Sequence, residues 1–266
     1  MSGTQKNASS SSSYAAPGRL EIVGIGPGHP DLLTAQASAV LAAATDLVGY
    51  QPYLDRIGPE CSAARHGSDN REELARARHA LGLAAAGARV AVVSGGDAGV
   101  FGMAAAVFEA IEQGAPGWRD LDVAVVPGLS ALLAASARLG APLGGDFCAL
   151  SLSDNLKPWE LVASRLQAAA AAGFVLALYN PLSRARPWQL DAAFDLLRAI
   201  LPPATPVALA RAVSRPDEHL LVTSLAEARG EAADMRTLVI VGSPLTRTIA
   251  RAGRAPWLYT PRSVAR

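Results

Sequence analysis

Residues 20–44 read LEIVGIGPGHPDLLTAQASAVLAAA, and this stretch decides the fold. A short apolar run passes through a glycine turn into an alanine-rich helical segment, which is the pattern of a strand–loop–helix unit. Gly24 and Gly26 resemble the start of a dinucleotide-binding loop, but the third glycine of that fingerprint would have to stand where the chain has His29. Pro27 has no N–H to offer a pyrophosphate. Asp46 is about 20 positions on, where a ribose-binding acid belongs, yet it begins the next strand, DLVGY, and so lies at the wrong edge of the sheet. A nucleoside ligand without phosphates fits this loop better.

The same alternation runs along most of the chain. Strands are expected at 20–25, 46–49, 89–93, 122–126, 147–152, 174–179, 206–213, 219–224 and 237–242. Helices are expected at 31–44, 71–86, 99–113, 129–138, 158–172 and 187–200. The fold class is α/β, with a largely parallel sheet in the first half. Turn residues cluster in LGAPLGGDF, 139–147, and two later strands follow each other through SRPDE with no helix between them. That hairpin implies antiparallel pairing and a mixed sheet in the second half. The expected division is a tail at 1–18, an N-terminal domain at 19–144 and a C-terminal domain at 145–262.

Bulk properties narrow the functions. Half of the 266 residues are hydrophobic, enough for a large core, and the net charge of +1 gives no field for a polyanion. No nucleic-acid partner is expected. Cys61 and Cys148 are far apart and the four histidines lie on separate segments, so no metal is expected and the cysteines read as reduced, in a cytoplasmic protein. The Ser-rich tail, with ASSSSS at its centre, has too little apolar surface to offset its ordering entropy and is expected to be disordered. Apolar runs such as FVLALY are strand-sized, so no membrane span is expected.

Ligands of open α/β sheets gather at the carboxyl ends of the strands. Three small-residue loops stand there in the first half: GIGPGHP, SGGDAGVFG and PGLSA. Together with LYNP and TLVIVG, in this order, they resemble the tetrapyrrole methylase family over residues 19–262. Longer strings, among them GYQPYLDRI, SDNREELARARHAL and SLSDNLKPWELVASRL, are similar to the subgroup that methylates a precorrin in cobalamin biosynthesis and contracts its ring. The resemblance implies S-adenosylmethionine as methyl donor, a two-domain fold distinct from the common methyltransferase fold, a tetrapyrrole substrate and a homodimer. It places Gly26, Pro27, Gly95, Gly96, Asp97, Val100, Ser130 and Ala131 around the cofactor, with Asn180 and Ala210 closing the pocket from the second domain.

Methyl transfer itself asks for alignment and exclusion of water. Ring contraction also asks for a base and for donors to a departing carboxylate, and His66, Ser68 and Lys157 are candidates by residue type, with Asp69 and Asn70 beside them. Asp69 is equally an expected N-cap for helix 71–86. Arg184, Arg186, Arg211 and Arg215 follow second-domain strands and are expected to hold substrate carboxylates, whereas Arg76 and Arg78 are expected on the surface. Other readings are another precorrin methylase, a uroporphyrinogen methylase, a methylase of a macromolecule, or a nucleoside-binding protein without activity. Uroporphyrinogen enzymes typically have Arg where this chain has Met103, which counts against that member.

Overall fold

The computed structural model describes residues 18–263; the expected tail lies outside them except for Gly18, whose N–H donates to Ala84 O. The first half consists of β1 (Arg19–Gly24), α1 (Ala35–Ala43), β2 (Asp46–Tyr50), α2 (Gln51–Leu54), β3 (Ala64–Ser68), α3 (Glu73–Ala85), β4 (Arg89–Ser94), α4 (Met103–Gln113) and β5 (Asp122–Val126). The five strands make a wholly parallel sheet in the order β3-β2-β4-β1-β5. Alternation along the strands sends Val23, Leu47, Ala91, Val93 and Val126 to one face, where Ala37 and Leu41 of α1 pack. Leu20, Ile22, Val48, Val90 and Val92 go to the other face, against α3 and α4. The helices that follow β1 and β4 therefore leave neighbouring strands toward opposite faces. That divergence opens a crevice between the carboxyl ends of β1 and β4.

The chain continues through α5 (Ala131–Leu139), β6 (Gly140–Ala141), β7 (Phe147–Ser151), α6 (Trp159–Ala171), β8 (Val175–Tyr179), α7 (Gln189–Arg198), β9 (Pro206–Arg211), β10 (His219–Ser224), β11 (Thr237–Val241), β12 (Arg247–Arg251) and β13 (Arg254–Tyr259). A second sheet, β10-β9-β11-β8-β7, is mixed: β7 and β8 are parallel and the other pairs antiparallel. One face holds α6 and α7 around the fully buried Phe194. The other face holds Leu132, Ala135 and Leu139 of α5 and Leu258 of β13. A small third sheet, β12-β13-β6, lies beside α5.

Several expectations shift. Helix α5, which lies within the expected N-terminal domain, packs on the second sheet through Leu132, Ala135 and Leu139. The helix expected at 31–44 is broken: a 3-10 turn, Pro30–Leu32, precedes α1, which starts only where Thr34 Oγ1 accepts the Ala37 N–H. Asp69 does not cap α3, whose N-cap is Glu72; Asp69 instead accepts the N–H of Asn70. Strands β3, β6, β12 and β13 and the short α2 have no counterpart among the expected elements. Phe194→Ala should cost about 3–5 kcal/mol, because it removes a fully buried ring from the core between α6, α7 and the sheet. Urea unfolding followed by circular dichroism checks this; a loss below about 1 kcal/mol would mean that the α6–α7 layer collapses onto the gap.

Candidate functional site

The loops after β1 and β4 are joined to each other by their backbones. Gly26 N–H donates to Gly96 O (3.1 Å), Gly96 N–H returns a bond to Gly26 O (3.0 Å), and Ile25 N–H donates to Ser94 O (2.9 Å). Both glycines have φ of +68°, a left-handed conformation that favours residues without a Cβ. Asp97 ties in the loop after β5: one carboxylate oxygen accepts Gly99 N–H (2.8 Å) and the other accepts Gly128 N–H (2.9 Å). Gly24 sits beneath this junction, where a Cβ would lie 2.7 Å from both Gly128 N and Gly96 O.

This arrangement is unsuited to phosphate. The N–H groups of Ile25, Gly26, Gly96, Gly99 and Gly128 are already bonded within the loops, Pro27 has none, and a carboxylate sits among them. It is suited to a neutral or cationic group that needs close approach. A Cβ built on Gly96 meets nothing nearer than 3.9 Å, the backbone of Ser130 and Ala131, so there is open room above the loop. The residues present thus fit a nucleoside carrying no phosphate.

The second sheet reaches the same place. Tyr179, at the carboxyl end of β8, shares a 2.5 Å hydrogen bond with Ser130 Oγ and accepts Leu132 N–H, so it holds the start of α5. Burial first raises the Tyr179 pKa, with its bonds to Ser130 and Leu132 opposing, and the phenol stays neutral. The exposed Phe101 ring lies 5.2 Å from the Tyr179 ring. Phe101, Asn180, Ala212 and Ser214 all have positive φ without being glycine, and all follow the carboxyl ends of β4, β8 or β9. Strain of about 1–3 kcal/mol per residue persists where the surroundings impose it, and it concentrates at ligand sites. Asn180 is held by its Nδ2–H donating to Ser151 Oγ (2.9 Å).

The residues expected around the cofactor are therefore distributed as follows. Gly26, Gly95, Gly96, Asp97, Ser130 and Ala131 lie at the junction of the three loops, with Val100 in the half-buried stretch after Asp97. Pro27 is buried beside them. Ala210 differs: its side chain is in the core between the second sheet and α5.

Of the expected catalytic residues, His66 and Ser68 line one cleft, and Lys157 lines neither of the clefts there. His66 stands mid-strand in β3, with Nε2 2.8 Å from Asp46 Oδ1 and Nδ1 3.1 Å from His79 Nε2. Ser68 accepts from Arg76 Nε (2.8 Å). Lys157 is in the β7–α6 connection, its pKa lowered by burial and then by Arg165. Beside Ser68 open two clefts of about 400 and 380 Å³, the first lined by His66 and Arg76, the second by Tyr50 and Gln51.

The arginines expected to hold substrate carboxylates differ in their surroundings. Arg211 is matched by Asp234 (2.8 Å) and Asp217 (3.3 Å), and Arg186 by Asp154 (3.6 Å). Arg184 is exposed. Arg215 donates Nε–H across the crevice to Pro27 O (3.1 Å). Arg76 is not on the surface: it is 5% exposed and donates to Ser68 Oγ, Asp69 O and Met103 Sδ. Two residues with no advance signal, Arg56 and Tyr53, lie against the loops: Arg56 donates to Ile25 O and Gly26 O, and Tyr53 covers Gly95.

Residues 19–229 match the family model described as Tetrapyrrole (Corrin/Porphyrin) Methylases. The chain belongs to this family. It is 55% identical over 248 residues to a precorrin-3B C(17)-methyltransferase of Sinorhizobium, covering 93% of this chain and 98% of that one. The crystal structure of the methyltransferase CobJ superposes with a TM-score of 0.87 at 49% identity, covering 92% of this chain and all of that one. A uroporphyrin-III C-methyl transferase from Thermus thermophilus, complexed with S-adenosyl homocysteine, gives 0.64 at 25% identity over 85% of this chain and 97% of its own. The fold is the one shared with these structures, and in this chain the buried Arg76 braces the cleft beside Ser68. Arg76→Ala should lower stability by about 1–3 kcal/mol, because it leaves Ser68 and Asp69 O unpaired. Thermal melting checks this, and an unchanged melting temperature would return Arg76 to the surface.

Proposed function

We propose that this chain is an S-adenosylmethionine-dependent methyltransferase that methylates precorrin-3B at C-17 and contracts the ring to give precorrin-4, in cobalamin biosynthesis. The observation that carries the cofactor is the self-bonded Gly26–Gly96 junction, open above Gly96 and closed to phosphate. The relatives' printed activities support the substrate. Bound there, S-adenosylmethionine supplies a methyl group on a cationic sulfur. The chain's own work is to hold that group in line and keep water away. Asp97 fixes the loops of β4 and β5 in register, and the Tyr179–Ser130 bond fixes the second sheet against them. Two clefts flank Ser68 on the β3 side of the same sheet, one against α3 and one at the carboxyl end of β2, and they are the space proposed for part of the macrocycle.

Ser68, His66 and Lys157 remain the groups proposed to handle protons in the contraction, with Ser68 favoured by its place between the two clefts. The proposal includes a homodimer, a cytoplasmic location, and a domain division at the β5–α5 connection. Both cysteines are free, which agrees with a reducing compartment. Among the described residues no helix is long and apolar enough to cross a membrane.

Incubation with S-adenosylmethionine and precorrin-3B should yield a product with one more methyl and, by NMR, a contracted ring bearing an acetyl group. A methyl at another carbon, or no transfer, sinks the assignment. Gly96→Val should weaken S-adenosylhomocysteine binding tenfold or more, about 1.4 kcal/mol, since its φ of +68° resists any branched residue and the new side chain enters the open room. Calorimetry giving equal affinity would place the ligand elsewhere.

A further inference from the structure

Three consecutive carbonyls of the first glycine loop accept from arginine. Arg56 Nη2 donates to Ile25 O (3.1 Å) and Gly26 O (2.9 Å), and Arg215 Nε donates to Pro27 O (3.1 Å). The first arginine comes from the end of α2 and the second from the loop after β9, so the loop is gripped from both sides of the crevice. The stem of Arg215 lies on Gly28, where a Cβ would stand 3.3 Å from its Nε.

The two cations lack neutralisation. Among the described residues neither has a carboxylate partner, in contrast to Arg211, Arg186 and Arg198, each paired with an aspartate. Arg56 Nη1 is shut off from solvent with no acceptor. Burial, then the nearby Arg215 charge, brings the Arg56 pKa down to about 10, with Tyr53 opposing; it stays charged at neutral pH, at a cost. Only Nε of Arg215 is engaged, which leaves the terminal fork of that half-exposed guanidinium for a planar anion.

We propose that Arg215 and Arg56 form a carboxylate-binding subsite at the glycine loop, Arg215 contacting the carboxylate and Arg56 acting behind it as a positioning residue and second positive charge. The subsite rests on the function proposed above, which supplies two sources of one chemistry: a side-chain carboxylate of the macrocycle or the amino-acid carboxylate of the cofactor. A bound carboxylate offsets one of the two positive charges and so strengthens the grip between the second sheet and the loop.

Binding by the full chain tests this with four probes: uroporphyrin III, its octamethyl ester, S-adenosylhomocysteine, and 5′-methylthioadenosine, which lacks the amino-acid carboxylate. If the macrocycle supplies the carboxylate, Arg215→Gln should weaken uroporphyrin about 30-fold and leave its ester and both nucleosides unchanged. If the cofactor supplies it, S-adenosylhomocysteine should weaken by that ratio and methylthioadenosine should not. Arg56→Lys should keep most of the affinity and Arg56→Gln should lose it. The Arg56→Gln, Arg215→Gln double variant should lose less than the product of the single losses, because both act on one anion. Should Arg56→Gln fail to fold, Arg215→Gln decides alone. Equal affinity of wild type and Arg215→Gln for all probes overturns the subsite. So does an equal loss for acid and ester. A wild type that transfers methyl while its variants bind as it does removes the subsite alone; one that binds no probe removes the functional reading as well.

Discussion

The exchange of two backbone hydrogen bonds between Gly26 and Gly96 is the contact on which the rest of the site depends. It forms at the point where β1 and β4, adjacent in the sheet, send their helices to opposite faces. A crevice there would normally present free N–H groups to an anion. Here the two loops satisfy each other, and Asp97 takes up the N–H groups of Gly99 and Gly128. What is left is a closely approachable surface of glycine backbone whose N–H groups are already taken. The ligand preference is therefore set by hydrogen bonds the loops make among themselves.

Rigidity at that junction is matched by strain around it. Four residues with a Cβ take positive φ at strand ends facing the crevice, and two are anchored nearby: Asn180 by Ser151, and Ser214 through its N–H to Glu218. The Ser130–Tyr179 bond joins the two halves at the start of α5, a helix that buries Leu132, Ala134, Ala135 and Leu139 in the second core. The second half thus contributes a wall already braced against the first loop set.

The alternation of apolar strands with alanine-rich helices made both main sheets legible, because their residues are buried and the pattern reflects burial. The elements that were not legible lack that pattern. β3 reads ARHGS and β12 reads RTIAR, edge or outlying strands with mostly exposed side chains. Helix α5 was legible as a helix but not in its packing partner, since an apolar face does not state which sheet it covers. The glycines and Asp97 were legible as a site because their spacing follows strand ends. Arg56 was not, for it looks like any arginine in a turn, and Arg76 looked like one of several helix charges until the fold turned it toward Ser68 and Met103.

The arginines show why residue type and position after a strand do not identify a carboxylate receptor. Arg211 and Arg215 are four residues apart in the same loop region, yet Arg211 is matched by two aspartates and Arg215 by none. An arginine already paired on the protein has to give up that partner before it binds another, and the exchange gains little. An arginine facing only carbonyls, with a second buried guanidinium nearby, gains from any carboxylate that arrives. Charge that the fold leaves unmatched is thus a better guide to an anionic ligand than charge as such, and Arg56 and Arg215 are two such charges held on one glycine loop.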